Sequence, residues 1–334
     1  MDAQEVRILN FQDYLSSSSQ IKNCFIDGIG KSLKQTGFVV CKNVGLENIM
    51  SQVRKQEHLF FETISFEQKM HLFLPQTRGE RGFIPLGGET ALGEKYPDLK
   101  EYFEFGREND SRYDANIWPS SNILPQFKST LLAAYHLQEE KSHLLLQAIA
   151  QYLGFPQDEL KEDATGGNSV MRLNFYPSKQ YLLNLLTHYC HTPLSPISES
   201  LATEMLNDLA QPSAQPKAIR AGSHKDSNFK TSLYEPNKGL QVLIDGEWQD
   251  IPHIKNSTVI NIGQKLEIKT NLPATIHRVI NPTCDFTQSR YTEPYFNHPH
   301  SDCILNKQTG LTDKAYMQHL LTQRYTAATS SSAK

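Results

Sequence analysis

The second half of the chain is a succession of short β-rich runs separated by turn residues. From Val170 onward, runs rich in Val, Ile, Tyr and Phe alternate with Gly, Pro, Asn and Asp, the residues that favour turns. Leu240–Ile244 and Glu247–Ile251 are joined by Asp245-Gly246, a two-residue sequence that favours a type I′ hairpin. Strands this short and this closely spaced predict an antiparallel sandwich or jelly roll.

The first half carries helical patterns around a short strand, so the whole chain is predicted to be mixed α/β with a mainly β core. Gly37–Gly45 is a β-branched run ended by glycine, and Leu46–Leu72 carries apolar residues at helical spacing. A long helix is expected from about Pro125 to Leu153, before Gly and Pro stop signals. The Gly-rich stretch Arg78–Glu89 lacks a phosphate-binding pattern and is interpreted as a loop.

These patterns predict a jelly-roll core with a helical and α+β region packed on it. The core is interrupted by residues 178–220, which show no clear strand pattern and only a short helix around Glu199–Leu209. An insert of this length is either a functional lid or a surface excursion, and both interpretations stay open. The expected divisions are an N-terminal region, the core, a closing helix and a disordered tail: residues 1–168, 169–312, 313–325 and 326–334.

Composition narrows the classes of protein that the chain can belong to. Its 334 residues are 38% hydrophobic and 21% charged, enough for a sizeable core. The net charge of −3 gives no basic excess for nucleic acid or for an anionic membrane surface. No apolar run could span a bilayer and the N-terminus lacks a signal-peptide core, so a cytoplasmic location is expected. Five scattered cysteines without a C-x-x-C pair argue against a disulfide framework and a structural zinc site.

A His-x-Asp triplet, His224-Lys225-Asp226, lies in the polar stretch "AGSHKDSNFKTSL". In an extended segment, residues two apart point to the same face, which brings His224 and Asp226 together. His277 lies in a strand-like run 51 residues after Asp226, with the predicted hairpin between them. Two histidines and one carboxylate are the facial triad that holds Fe(II) while leaving other coordination positions open.

A triplet of this kind also occurs by coincidence, and the chain contains a second one, His300-Ser301-Asp302. The later triplet is followed only by His319, inside the expected closing helix, and it lies in a Pro-broken stretch. It is therefore interpreted as surface or turn residues. The position of His277 is what favours a metal site at the first triplet.

Two further pairs of polar residues have the spacing of strand residues that share a face. Arg290 and Thr292 together form a fork for a carboxylate, with the guanidinium bidentate and the hydroxyl donating a third hydrogen bond. Asn174 and Tyr176 also share a face, and the tyrosine hydroxyl could reach a second carboxylate or the chelating group, as a dicarboxylic keto acid would require. The alternative for Arg290 is a structural ion pair with an Asp or Glu.

The order of these motifs resembles the 2-oxoglutarate/Fe(II)-dependent dioxygenases of the isopenicillin N synthase-like superfamily. Asn-x-Tyr-Pro, His-x-Asp, "GLQVLIDGEWQDIP", "VINIG", "HRV" and Arg-x-Thr follow one another as in that family, and "TGFVVCKNVGL" is similar to its N-terminal signature. "RGFIPLGGE", "DLKEYFEFGRE" and "RYTEPYFNHP" resemble its bacterial members in particular. Arg-x-Thr replaces the usual Arg-x-Ser and keeps the hydroxyl.

The resemblance implies a double-stranded β-helix core flanked by helices, with Fe(II) and 2-oxoglutarate as the groups bound. It implies that Fe(II) is held by His224, Asp226 and His277. It implies that 2-oxoglutarate is held by Arg290, Thr292 and Tyr176, and Asn174 beside them joins the predicted pocket.

The function that follows is oxidation of an unidentified small molecule with O₂, with succinate and CO₂ as co-products. Hydroxylation is the default outcome, and desaturation or cyclisation shares its first step. Phe229, Arg172 and the loop Arg78–Glu89 are the expected wall of the substrate pocket. One alternative is an Fe(II) oxidase that uses no keto acid, and another is a non-catalytic jelly-roll binding protein. The sequence identifies neither the substrate nor the oligomeric state.

Overall fold

The computed structural model of the chain describes residues 5–74, 81–90, 94–211, 217–235, 238–281 and 287–320. The helices are α1 (Ser19–Thr36), α2 (Glu47–His58), α3 (Phe66–Met70), α4 (Phe127–Tyr152), α5 (Glu159–Ala164), α6 (Lys179–Tyr189), α7 (Glu199–Ala210) and α8 (Gln264–Thr270). The strands are β1 (Ile8–Asn10), β2 (Phe38–Lys42), β3 (Gly82–Ile84), β4 (Glu101–Gly106), β5 (Val170–Tyr176), β6 (Ala221–His224), β7 (Lys230–Tyr234), β8 (Leu240–Ile244), β9 (Glu247–Asp250), β10 (Ser257–Ile262), β11 (His277–Val279), β12 (Arg290–Asn297), β13 (Ile304–Asn306) and β14 (Leu311–Thr312).

Two sheets pack face to face to form the jelly roll. The larger has the strand order β1-β2-β10-β7-β12-β5-β4-β3 and the smaller β6-β11-β8-β9. Val40 and Val259 of the larger sheet lie in one buried apolar cluster with Val242 and Val279 of the smaller. Burial of such side chains contributes about 1.5–3 kcal/mol each, so this cluster holds one end of the two layers together. The predicted fold class is confirmed.

The outer face of the larger sheet packs against helices. Phe103 of β4 and Tyr295 of β12 are fully buried in the main hydrophobic cluster. The Phe103 ring lies 5.2 Å from that of Phe127, and the Tyr295 ring 5.4 Å from that of Tyr135, both partners on α4. Side chains along a strand point alternately to its two faces. On β4 and β12, the residues next to these aromatics in sequence therefore face the smaller sheet. That inner face carries the polar residues of the site.

Several predicted elements are confirmed, with bounds close to those expected. The long helix expected from Pro125 to Leu153 is α4, and the helix expected around Glu199–Leu209 is α7. Asp245 and Gly246 have φ values of 51° and 83° and connect β8 to β9, as a type I′ turn requires. Residues 313–320 are helical, and the rest of the predicted closing helix and tail lies outside the described residues.

The prediction of a loop over Arg78–Glu89 was wrong in its middle, because β3 lies there. Phe83 and Ile84 are buried and pair with Phe103 and Tyr102 of β4. Glycines flank this strand on both sides, and their turn signals outweighed an apolar run of only three residues. Residues 78–80 lie outside the described residues.

The insert at residues 178–220 contains α6 as well as α7, and α6 was not predicted. The hydroxyls of Ser178 and Ser198 accept hydrogen bonds from backbone N–H groups of the first turns of α6 and α7, which caps both helices. Leu186 of α6 and Met205 of α7 lie in a second apolar cluster together with Leu99, so the insert is packed on the molecule. Among the described residues, no helix has both the length and the apolar character to cross a membrane.

Candidate active site

His224 and His277 are directly opposite each other on neighbouring strands of the smaller sheet. β6 pairs antiparallel with β11 in the register that joins these two residues, and their rings lie 4.4 Å apart. Asp226 lies beyond the end of β6, not within an extended strand as predicted. Its Oδ1 nevertheless lies 3.5 Å from Nε2 of His224 and 3.7 Å from Nε2 of His277. The three predicted metal ligands therefore converge, with their ligand atoms all within 4.8 Å of one another.

Backbone carbonyls fix which ring nitrogen of each histidine faces the cluster. Nδ1 of His224 lies 2.8 Å from the carbonyl oxygen of Gly222, and Nδ1 of His277 lies 3.1 Å from that of Thr275. A carbonyl oxygen only accepts, so each Nδ1 carries the hydrogen and each Nε2 keeps a lone pair directed at the centre. This is the way in which proteins usually orient histidines that bind a metal.

The two oxygens of Asp226 have separate surroundings. Oδ2 accepts hydrogen bonds from the Thr231 hydroxyl at 2.5 Å and from Nδ2 of Asn261 at 2.8 Å. Oδ1 faces the two imidazoles. The carboxylate is thus held by one oxygen and offers the other, as a monodentate ligand must. No pattern in the sequence indicates the roles of Thr231 and Asn261, because these contacts depend on which strands are neighbours.

The electrostatics of the three groups favour a divalent cation. Burial raises the pKa of Asp226, but the charges of His277 and His224 and the bond from Thr231 outweigh it and hold the pKa well below its ordinary value. Burial lowers the pKa of His277, and the charge of His224 lowers it further. A histidine binds a metal in its neutral form, and one carboxylate with two neutral imidazoles is a donor set that fits Fe(II). The His224 side chain is 43% exposed, against 9% for His277, so the centre is reached from the His224 side.

The predicted carboxylate fork lies on the inner face of the larger sheet. Arg290 is the cross-strand partner of Tyr176, and Thr292 is the partner of Asn174. The Arg290 guanidinium lies 5.1 Å from the centre of the Tyr176 ring and donates to the carbonyl oxygen of Lys238 at 3.0 Å. Burial lowers the pKa of Arg290, because its positive charge is poorly solvated in this environment. All four predicted residues are buried together.

A second arginine, which was not predicted, lies beside the same tyrosine. Arg220 is 4% exposed and its guanidinium lies 5.7 Å from the Tyr176 ring. Burial and the positive charge of Arg290 lower the pKa of Arg220 to about 10. The sequence gives no spacing signal for this residue, because Arg220 lies just before β6 and the register of β6 against β11 is irregular.

The two residues predicted to line a substrate pocket have different positions. Arg172 lies on the inner face of β5, where Nε donates to Glu104 at 2.6 Å and Nη1 to Glu89 at 3.4 Å. Phe229 is fully buried within the main hydrophobic cluster. It therefore offers no exposed ring to a ligand, and we do not include it in the proposed pocket.

Comparisons with known proteins place the chain among iron- and keto-acid-dependent enzymes. Residues 167–299 match the sequence model of the 2OG-Fe(II) oxygenase superfamily, and residues 6–121 match that of the non-haem dioxygenase in morphine synthesis N-terminal region. The two matches together span more than two thirds of the chain and include every residue of the converging triad.

Individual relatives agree with the family matches. The chain is 28% identical over 269 residues to homoarginine-6-hydroxylase 2-ODD-C23 of Glycine max, covering 76% of this chain and 72% of the relative. It is 25% identical to the 2-oxoglutarate-dependent dioxygenase frbJ of Dothideomycetidae sp. (strain 11243), covering 84% of this chain and 71% of the relative. A full-length Neurospora crassa protein crystallised in complex with alpha-KG has the same fold, with a TM-score of 0.75, 23% identity and coverage of 94% of this chain and 95% of that one.

Proposed function

We propose a reaction for this chain, which belongs to the 2-oxoglutarate/Fe(II) oxygenase superfamily and is a dioxygenase dependent on both Fe(II) and 2-oxoglutarate. The proposed reaction is hydroxylation of a small molecule. One atom of O₂ enters succinate and the other enters the substrate, while C1 of the keto acid leaves as CO₂. Desaturation and cyclisation share the initial removal of hydrogen and are variants of the same proposal.

We assign the iron to His224, Asp226 and His277. The single observation that carries this assignment is the convergence of two lone-pair nitrogens and one carboxylate oxygen within 4.8 Å. Bound Fe(II) with 2-oxoglutarate supplies the activation of O₂ that is coupled to decarboxylation of the keto acid. The protein's part is to hold three ligands on one side and leave the other side open. The carbonyls of Gly222 and Thr275 and the pair Thr231 and Asn261 keep those ligands in place.

We assign the remote carboxylate of 2-oxoglutarate to Arg290 and Thr292, with Tyr176 and Asn174 beside them. A guanidinium and a hydroxyl on neighbouring positions of one face can donate together to a carboxylate. Nδ2 of Asn174 donates to the Thr292 hydroxyl at 3.4 Å, which leaves the hydroxyl hydrogen able to donate to that carboxylate. Arg220 adds a second positive charge to the pocket, and a dianionic co-substrate would be stabilised by both.

The experiment that tests the proposal measures succinate. Purified protein is incubated aerobically with Fe(II) and 2-oxoglutarate, alone and with a panel of small molecules, and the succinate formed is quantified. We expect slow formation without substrate and faster formation with the correct one, and no succinate from His224→Ala. Oxidation of a panel compound without succinate would favour the oxidase alternative. Protein that binds no iron at all would favour the binding-protein alternative.

A further inference from the structure

A network of charged side chains lies on the inner face of the larger sheet, next to the triad. Nζ of Lys100 lies 2.8 Å from Glu89 and 2.9 Å from Asp98. Arg172 bridges Glu89 and Glu104 in the same way. Glu89 therefore shares each of its two cations with a second carboxylate, Asp98 at Lys100 and Glu104 at Arg172.

Glu89 is the most accessible of the carboxylates in this network. The Glu89 side chain is 40% exposed, whereas those of Asp98, Lys100 and Glu104 are 8%, 9% and 4% exposed. The two bridging contacts both use Oε2 of Glu89. Oε1 of Glu89 makes no hydrogen bond within the part of the chain that the structure describes, so it is free to accept one from a ligand.

Glu89 is connected to the triad through hydrogen bonds. Lys100 links it to Asp98, whose other oxygen accepts the backbone N–H of Gly222 at 3.0 Å. The carbonyl of Gly222 is the group that orients His224. These contacts place Glu89 on the His224 side of the triad, and His224 is the more exposed of the two histidines.

Glu89 stays ionised near neutral pH. Burial raises its pKa, but the charges of Lys100 and Arg172 outweigh this effect and lower the pKa to about 2. The opposite sign of charge lies at Tyr176, where Arg220 and Arg290 both approach the ring. Two positive groups thus lie beside Tyr176, where they suit a dianionic keto acid, and a negative group lies at Glu89.

We propose that Glu89 determines substrate specificity by binding a cationic nitrogen group, an amine or a guanidine, of the substrate. The inference rests on the proposed function, because it places the substrate beside the metal centre of an oxygenase. A carboxylate with a free oxygen forms a charge-assisted hydrogen bond with an ammonium or guanidinium. A neutral ligand of the same shape forms a weaker hydrogen bond and therefore binds less tightly. Lys100 and Arg172 hold the carboxylate in place and keep it charged.

The test compares cationic ligands with neutral ligands of similar shape. Protein loaded with Fe(II) and 2-oxoglutarate is titrated anaerobically by calorimetry with methylguanidinium against methylurea, L-arginine against L-citrulline, and L-lysine against L-norleucine. We expect at least one cationic member to bind about tenfold or more tightly than its neutral partner. Glu89→Gln should abolish this preference without changing the affinity for 2-oxoglutarate. The control Glu140→Gln removes the same charge from an exposed site on α4 and should change nothing.

The outcomes separate this inference from the proposed function. If the wild-type protein takes up Fe(II) and 2-oxoglutarate but no cationic probe binds better than its neutral partner, the inference is overturned and the proposed function stands. The inference also fails if Glu89→Gln, with unchanged thermal stability, keeps the preference. If the wild-type protein does not take up Fe(II) and 2-oxoglutarate, it is the proposed function that fails.

Discussion

At the scale of single residues, Asp226 illustrates how one side chain serves both the fold and the site. Oδ2 is held by Thr231 and Asn261, and this leaves Oδ1 in a fixed position opposite the two imidazoles. A carboxylate without those donors could rotate and offer either oxygen. Partners of metal ligands are typically worth a factor of about 10 to 100 in metal affinity.

Thr231→Val tests this role directly. The substitution keeps the shape of the side chain and removes the hydroxyl that donates to Asp226, so we expect Fe(II) affinity to fall about tenfold or more. The matched control is Thr258→Val on β10, because the buried Thr258 hydroxyl has no hydrogen-bond partner among the described residues. Fe(II) affinity is measured by anaerobic titration. Equal affinities for the two variants would contradict the role of Thr231.

Arg220→Gln tests the second positive charge of the co-substrate pocket. We expect the dissociation constant for 2-oxoglutarate to rise by about tenfold, because a buried charge close to the bound dianion is lost. Fe(II) affinity should stay unchanged. Arg112→Gln, whose side chain is 57% exposed and pairs with Asp110, serves as the control. A 2-oxoglutarate affinity unaffected by Arg220→Gln would remove Arg220 from the pocket.

Some residues of the site could be identified from the sequence and others could not, because the two groups depend on different kinds of information. His224, Asp226 and His277 follow from residue type, spacing and strand alternation, which a sequence carries. Thr231 and Asn261 meet Asp226 because β7 pairs with β10 in the register that places these two residues opposite each other. Register between strands that are distant in sequence is set by packing of the whole core, and no local pattern contains it.

At the scale of elements, strand alternation places the co-substrate residues with no help from loops. Arg290 and Thr292 on β12 face the same side as their partners Tyr176 and Asn174 on β5. It could be predicted that Arg290 and Thr292 share a face, because side chains along a strand alternate with a period of two residues. The missed helix α6 also left a signal in the sequence, because its buried residues recur at the helical spacing i, i+3, i+4 and i+7 from Leu182 to Tyr189, after the N-cap residue Ser178.

A buried carboxyl pair between α2 and β12 makes the stability of the fold depend on pH. Glu57 and Glu293 are both fully buried, and Nε of Arg54 donates to Glu293 at 3.1 Å. Burial and the charge of Glu293 raise the pKa of Glu57 well above its ordinary value of 4.5. A carboxyl with a raised pKa in the folded state contributes stability below its unfolded pKa, and this contribution is lost as the pH rises through the folded pKa.

Glu57→Gln should therefore make the free energy of unfolding less dependent on pH on the alkaline side. The amide is neutral at every pH and needs no proton to stay buried, so the free energy of unfolding of the variant should not fall as that of the wild type does. Urea unfolding between about pH 5 and about pH 9 measures the difference. Glu140→Gln, at an exposed position, should keep the wild-type decline. A parallel decline in Glu57→Gln would show that another group causes it.

At the scale of the whole molecule, the two faces of the larger sheet have different roles. Its outer face buries aromatic side chains against α4, which fixes the positions of β4, β5 and β12, and the charged Glu293 on that face is paired with Arg54 of α2. The inner face of the same strands carries Arg290 and Arg172, charged groups that would be costly to bury without a ligand or partners. The packed layer on the outer face thus holds the strands that carry Arg290 and Arg172 in fixed positions.

The most direct test of the account is an anaerobic titration of the metal-free protein with Fe(II) and then with 2-oxoglutarate, followed by visible absorption. We predict a weak metal-to-ligand charge-transfer band in the wild type, its loss in His224→Ala, and a need for much more keto acid to produce it in Arg290→Ala. A wild type that binds Fe(II) and develops no band on addition of 2-oxoglutarate would contradict the account, as would a His224→Ala variant that keeps the band unchanged.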